Sequence, residues 1–596
     1  MKSPEKLSVF IFILLNMNNK VSSKNTDEGD KQWYKTSTLY QVYPRSLKDS
    51  NGDGIGDLRG VIQKLNLFVD AGITAFWLSP IFKSPQVDQG YDVSDYYTVE
   101  PDYGTNEDLY ELIQLSHEAG IKVLLDFVPN HTSDQHGWFN KSIHREDGYD
   151  DFYIWADGVV DSNGERQPPN NWLSLFGGSA WEWNQIRQQY YFHQFTVQQP
   201  ELNYRSQGMV NALKDVMQFW LDKGIDGFRV DAVPYLVEDA KLTNEPVKDI
   251  AGCSSTIYTC LDHIYTKDQQ GSFEAVYDFR DFVENYTDTV GGDQRIIVTE
   301  AYSPRNITLL YYGNSDGSRL GAHYTFNFDF IQYLNFDSSA SDIANIINWW
   351  QENLNTSWIR NWVMGNHDNH RVATRLGYPD AYNMLVDGFL PGVSVTYQGE
   401  EIAMENGEVD CTQGKDPKAN CSNFESVSRD FERTPFQWDF SKNAGFSDAN
   451  ETWLPVSSKY LSNNLAAQNV TGLKSHYNLY KDCIKFHKKL SEESAKVQFQ
   501  ELNTFRSHTQ GDVLITYRMF NTSCGHDDPY VLLFNMNRVE VASVDLIVNV
   551  VKSYQVEVTW LQSKYQVGEK ISSKEIHLFP QESIILKAQC DQKYME

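Results

Sequence analysis

The chain has 596 residues, more than one hydrophobic core accommodates, so two or three domains are expected. With 41% hydrophobic and 14% aromatic residues it has the composition of a folded protein, which excludes a disordered chain. Eighty acidic (80) against 51 basic residues leave a net charge of −29, which argues against nucleic acid as a partner, because phosphate binding needs clustered cations.

At the N-terminus Lys2 and Lys6 precede an apolar run from Leu7 to Leu15, and Val21-Ser22-Ser23 offers a small-residue cleavage site. That run is far shorter than the ~20 residues needed to cross a bilayer. Residues 1–23 therefore read as a signal peptide, and the polar end from Gln589 to Glu596 carries no lipid-anchor signal. A secreted, extracellular protein is expected. Any membrane association would not run through a transmembrane helix.

From residue 38 short apolar runs alternate with amphipathic ones. The predicted strands are Leu39–Tyr43, Ala75–Ser79, Val123–Phe127, Gly227–Asp231, Ile296–Glu300, Ala322–Phe326, Trp362–Gly365 and Ser394–Tyr397. Helical periodicity falls on Leu58–Asp70, Glu107–Glu118, Gly208–Lys223 and Ser341–Glu352. Strands alternating with helices in this number predict an α/β fold, a (β/α)8 TIM barrel over residues 35–129 and 204–490. Residues 130–203, rich in Trp, Asn, Gln and Gly without helical period, predict an inserted loop-rich domain after strand three. A second irregular stretch, Glu400 to Asp439, follows strand eight. Residues 491–596 change to short alternating runs (Val513–Tyr517, Tyr530–Phe534, Val556–Trp560, Ser583–Ala588), a C-terminal antiparallel β domain.

The cysteines suit an oxidising compartment. Cys253/Cys260 and Cys411/Cys421 have the spacing of local disulfides, Cys524 and Cys590 are candidates for a third, and Cys483 is left over. Spacing alone leaves the connectivity open. Sequons at Asn140, Asn285, Asn306, Asn355, Asn450, Asn469 and Asn521 suit a glycoprotein.

A (β/α)8 barrel draws its active groups from the C-terminal ends of its strands. Here strand three ends Asp126-Phe127-Val128-Pro129-Asn130-His131, strand four Gly227-Phe228-Arg229-Val230-Asp231, strand five Val298-Thr299-Glu300. Strand seven runs into Gly365-Asn366-His367-Asp368-Asn369. A lone aspartate there is usually a cap or an ion-pair partner. Carboxylates converging with an arginine are another matter. Glycosidic cleavage needs one ionised carboxylate at the anomeric carbon and one protonated carboxyl at the leaving oxygen.

These segments, with Gln199-Pro200-Glu201-Leu202-Asn203, resemble the signature regions of the α-amylase superfamily of glycoside hydrolases. Gly227 to Tyr235 and Arg433-Thr434-Pro435-Phe436-Gln437-Trp438 resemble its maltase and oligoglucosidase branch, most closely the insect maltases. The resemblance implies hydrolysis of α-linked di- and oligosaccharides with Asp231 as nucleophile, Glu300 as acid and base, and Asp368 gripping sugar hydroxyls. Arg229 would keep Asp231 ionised and Asp126 would support Arg229, while His131 and His367 would bind hydroxyls of the same glucose. Gly90-Tyr91-Asp92 resembles a sugar-binding segment in which Tyr91 stacks on the ring and Asp92 meets the non-reducing end. Arg429, in Ser428-Arg429-Asp430, would pair with Asp92 and close the pocket for exo action. Ala232, after the nucleophile, occupies a position where alanine accompanies α-1,4 and sucrose-type bonds and valine α-1,6 bonds.

Asp49 to Asp57 places oxygen side chains at alternate positions with glycines between them, a calcium-like pattern whose plain alternative is an Asx-rich turn. It is not an EF-hand, because position twelve is Gly60 and a strand precedes it. The resemblance implies Ca2+ held by Asp49, Asn51, Asp53, the Ile55 carbonyl and Asp57. Two rivals to a maltase remain at this stage: a sucrose-preferring hydrolase or transglucosidase, and a non-catalytic sugar-binding relative. The second loses its catalytic carboxylates, whereas Asp231, Glu300 and Asp368 are all present here.

Overall fold

Eight parallel strands form around one axis: β1 Thr38–Val42, β2 Ala75–Leu78, β3 Lys122–Phe127, β4 Gly227–Val230, β5 Ile296–Thr299, β6 Tyr324–Thr325, β7 Asn361–Val363 and β8 Val393–Tyr397. This computed structural model describes residues 29–495, 505–520, 528–546, 551–572 and 576–590. The predicted leader, Asn521 and Cys524, and with them the proposed Cys524–Cys590 pair, lie outside the described residues. The strand order is β6-β5-β4-β3-β2-β1-β8-β7, the eight-stranded barrel expected. Between β6 and β7 a side chain takes over from the ladder. Asn361 Nδ2 donates to the Thr325 carbonyl at 2.7 Å, and its Oδ1 accepts from the Asn327 amide at 2.8 Å.

Alternation along each strand sorts its residues. In β4, Phe228 and Val230 join the apolar cluster that includes Val216, Trp220 and Phe279 of the surrounding helices. Arg229 faces the other way, in register with Asp126 of β3 and Val298 of β5. Gly227 starts the strand where a Cβ would stand 2.1 Å from the Ile296 carbonyl oxygen, so no larger residue fits there. The helix before β4, Gln207–Asp222, buries Met209, Leu213, Val216, Met217, Trp220 and Leu221 on one stripe and is capped by Ser206. The predicted helix over 58–70 is two helices, Leu58–Gln63 and Leu65–Ala71. Lys64 leaves helical dihedrals between them, and its ammonium sits 4.0 Å over the Trp438 ring.

After β3 the inserted segment forms a three-stranded antiparallel sheet of Trp155–Ala156, Gln189–Phe192 and Trp181–Asn184. It has its own small core of Ile154, Trp172, Ala180, Trp181, Tyr190 and Phe192. Beyond the barrel, a six-stranded antiparallel sheet includes Val513–Phe520, Asp528–Asn535, Val551–Thr559 and Ser583–Cys590. Cys253–Cys260 and Cys411–Cys421 are disulfide-bonded, and Cys483 is free and buried. Among the described residues no helix is long and apolar enough to cross a membrane.

Candidate active site

The C-terminal ends of β3, β4 and β5 bring three carboxylates onto one guanidinium. Arg229 Nη1 meets Asp126 Oδ1 at 3.0 Å and Asp231 Oδ1 closer still, while Nη2 meets Glu300 Oε2 at 3.1 Å. All four residues are buried. Glu300 also accepts from the Ala232 amide at 3.0 Å, and Ala232 itself is left-handed, with φ 50° and ψ 34°. Burial pushes the Asp231 carboxyl well up against the pull of Arg229, with Glu300 and Asp126 adding like-charge repulsion. Burial likewise raises Asp126 to about 7. Three acids around one cation cannot all ionise cheaply, so the cluster retains a proton near neutral pH and titrates as a unit.

The loop after β7 supplies His367 and Asp368. Asp368 Oδ1 accepts from Arg433 Nη2 at 2.8 Å and from Arg429 Nη1 at 3.2 Å. Burial alone would raise this carboxyl, but His367, Arg429 and Arg433 hold it far below the usual range. Burial drives the His367 imidazole down to about 3, so at neutral pH the two guanidiniums carry most of that effect. The ring is fixed by the Gln41 side-chain amide against Nδ1 at 2.7 Å and by the Tyr91 hydroxyl against Nε2 at 2.7 Å. Tyr91 also donates to Asp126 Oδ2 at 3.3 Å, which ties the β2 loop to the Arg229 cluster. His131 lies behind it. Its Nε2 faces the Tyr91 carbonyl at 3.1 Å and the Gln199 amide at 3.0 Å, and burial lowers its pKa to about 4.

The expected Arg429–Asp92 pair does not form. Arg429 Nη2 meets Asp88 Oδ1 at 2.8 Å, and Asp416 takes both Nε at 3.0 Å and Nη2 at 2.6 Å. Asp92 is 0% exposed and caps its own turn, accepting from Ser84 Oγ at 2.9 Å, the Val87 amide at 2.9 Å and the Asp88 amide at 3.0 Å. Three neighbouring donors hold this carboxylate inside its own loop, turned away from Arg429. Asp88, Asp416 and Arg433 are the residues of this wall that sequence reasoning missed. Asp88 sits in the same segment, four residues before the one chosen, and only the turn decides which of the two faces inward. From the inserted domain Phe176 lies under Arg429 at 5.5 Å, and Phe195 packs on His131 at 5.0 Å.

The loop from Asp49 to Asp57 is separate from this cluster. Asp49 accepts from the amides of Asn51, Gly52 and Gly54 at 2.9, 2.7 and 2.8 Å, and from the Ser447 hydroxyl at 2.5 Å. Asp57 accepts from Ser50 and caps the following helix at Gly60. Asn51 and Asp53 bond each other at 3.0 Å. Among the described residues no three His, Cys, Asp or Glu side chains are arranged to hold a metal ion.

The alpha amylase catalytic domain matches residues 41–494. The chain belongs to the α-amylase family. It is 43% identical to Maltase A1 of Drosophila melanogaster over 94% of this chain and 97% of that protein. It is 45% identical to a salivary alpha-glucosidase of Anopheles gambiae, over 77% of this chain and 78% of the other. Among solved structures, the alpha-glucosyl transfer enzyme XgtA superposes with a TM-score of 0.79 at 30% identity, covering 94% of this chain and 99% of its own.

Proposed function

We propose that this protein is a retaining exo-α-glucosidase that removes terminal glucose from maltose and related α-linked oligosaccharides, and from sucrose. One observation carries the reading: Arg229 holds Asp231 on one terminal nitrogen and Glu300 on the other. Two carboxyl groups sharing a guanidinium are close neighbours, as a double displacement needs, where about 5–5.5 Å separates nucleophile from acid. Asp231 attacks the anomeric carbon as the bond to the leaving oxygen breaks, and Glu300 passes its proton to that oxygen. Water then gives a proton to Glu300 and its oxygen to the anomeric carbon, which frees Asp231 and releases glucose with its α configuration kept. Asp368, held ionised by its arginines, accepts hydrogen bonds from glucose hydroxyls. The Arg429–Asp88–Asp416 ion pairs, joined to Asp368 through Arg429, support exo action as a wall at the far end of the pocket. The measurement is NMR of the product before mutarotation, across maltose, sucrose, isomaltose and starch. Initial release of β-glucose, or cleavage inside starch chains, would overturn the reading.

Calcium at the strand-one loop, and secretion, belong to the same proposal. Asp49, Asn51, Asp53, Asp57 and the Ile55 carbonyl are all oxygen donors, which is the chemistry a hard cation takes. Against this stands the engagement of the Asp49 and Asp57 carboxylates by loop donors, so the ion would add a brace to a turn that already closes. Chelator should then lower the melting temperature, since a ligand bound only by the folded state stabilises it. An unchanged melt together with no calcium by elemental analysis leaves the turn alone. The leader, the two disulfides and the sequons support an extracellular site of action.

A further inference from the structure

Arg429 meets three carboxylates, and one of them sets its orientation. Asp88 and Asp368 each touch a single terminal nitrogen, Nη2 at 2.8 Å and Nη1 at 3.2 Å. A guanidinium can still turn about a single contact. Asp416 engages it as a fork, with Oδ2 on Nε at 3.0 Å and Oδ1 on Nη2 at 2.6 Å, and a two-point contact fixes the plane of the group. Asp416 Oδ2 also accepts from the Arg429 backbone amide at 2.7 Å, so the side chain and main chain of the arginine share one anchor.

That anchor stands on a surface ring. A disulfide joins Cys411 to Cys421, 10 residues apart, and Asp416 lies midway between them. From residue 411 to 421 Asp416 alone is buried; Cys421 is exposed and Cys411 half-buried. Among the described residues no helix or strand runs through this ring. The amides of Lys415 and Asp416 rest on Asp430 Oδ2 at 2.8 and 3.1 Å, and the Lys415 carbonyl accepts from the Gln89 side chain at 3.2 Å. These bonds hold the tip of the ring. The disulfide holds its base, because it removes the open-chain conformations that the segment would otherwise explore.

We infer that the Cys411–Cys421 disulfide is a positioning device for the glucose site: it keeps Asp416 on Arg429, and through Arg429 it sets how tightly the terminal glucose ring is held. The inference rests on the proposed α-glucosidase activity and goes beyond it by giving this bond a part in substrate affinity. Its competitor is a purely stabilising cross-link, whose loss would lower the melting temperature and leave binding alone.

A double-mutant cycle separates the two. Cys411→Ser with Cys421→Ser should raise KM for maltose by about tenfold with kcat held within about twofold, since a contact made alike in the bound substrate and at the transition state acts on KM. The rise should be the same with 4-nitrophenyl α-glucoside, which carries the same glucose ring. Asp416→Asn, which loses the fork, should raise KM to a similar extent, and opening the ring in that background should add less than about twofold. Cys253→Ser with Cys260→Ser opens the other disulfide and should leave KM within about twofold of wild type. An unchanged KM in the ring-opened enzyme, or an equal further rise in the Asp416→Asn background, overturns the inference. Should the ring-opened variant fail to fold, the Cys253→Ser, Cys260→Ser enzyme supplies a second arm, because its Cys411–Cys421 bond can be opened after folding. A dithiol gives that bond two electrons and two protons, leaving two thiols and closing to a cyclic disulfide itself. KM should then rise by about tenfold and return on reoxidation. A constant KM once both thiols can be labelled would again overturn the inference. Inactivity of the wild-type enzyme on both substrates would count against the proposed function itself, a result separate from any difference between variants.

Discussion

Two groups of buried acids lie in the same barrel and are satisfied in opposite ways. At the mouth, Asp126, Asp231 and Glu300 touch Arg229, and Asp368 touches Arg429 and Arg433. Beside β8, Glu401 accepts from the Tyr40 hydroxyl at 2.6 Å and the Gly399 amide at 2.7 Å, Glu400 from the Tyr397 amide at 2.9 Å, and Asp387 from Thr396 at 3.3 Å. Burial pushes Glu400 up to about 8 and Glu401 up to about 7, and raises Asp387 as well. Of these acids only Asp368, with two guanidiniums in contact, is held far below the usual range, whereas Asp126 and Asp231 share one guanidinium and are raised, as Glu400 and Glu401 are. The number of guanidiniums on a carboxylate separates the two outcomes.

The largest effect should come from the mouth. Asp231→Asn and Glu300→Gln are each expected to lower kcat by about a thousandfold or more, because each removes a group that reacts. Melting temperatures should stay near wild type. A variant that kept a tenth of the activity would break the assignment of roles.

Next comes the contrast between Asp88 and Asp92. Asp88→Ala removes a contact of Arg429 but leaves Asp416 and Asp368 on it, so the fold should survive while kcat/KM for maltose drops by about a hundredfold. Asp92→Ala strands three buried donors and should cost stability instead, on the order of 1–3 kcal/mol in the melt. Swapped phenotypes would mean that the pocket wall had been drawn around the wrong aspartate.

Ala232→Val tests the entrance. Its methyls would narrow the space beside the departing ring, at a cost of about 1–3 kcal/mol or roughly 10–200-fold in kcat/KM for maltose, with isomaltose spared. The left-handed backbone at φ 50° adds strain for a β-branched side chain, so a lower melting temperature should accompany the change. Equal effects on maltose and isomaltose would show that strain, not pocket width, dominates.

The smallest effect is a slope. Glu400 and Glu401 have folded pKa values raised above those of the unfolded chain, so the stability they add is full in acid and is lost as pH rises through about 7 to 8. Asp416, held down at about 2 by Arg429 against its burial, works in reverse, adding stability above about 4 that is lost as pH falls through 2. A Glu400→Gln, Glu401→Gln double variant should flatten the decline in melting temperature between about pH 5 and 8. An unchanged slope would place that titration elsewhere.

What could be read from sequence was whatever is local to a strand and its end. Alternation places Arg229 and Asp231 on one side of β4 without reference to any other segment, and the runs that become β1 to β8 differ from their predicted bounds by only a few residues. The C-terminal strands were legible for the same reason, as short runs of period two. The one-piece helix over 58–70 was not, because its break at Lys64 is held by Trp438, far along the chain. Asp88 and Asp92 show the limit most clearly. Both are aspartates in one loop, four residues apart and equally acidic by composition. One faces Arg429 and the other folds under its own turn, because the donors of that turn hold its carboxylate inside the loop. Arg433 was likewise visible as part of a motif, but its contact with Asp368 exists only once the loops after β7 and β8 meet across the barrel mouth. Strand ends carried the chemistry in the sequence, and loop packing chose which charges stand around it.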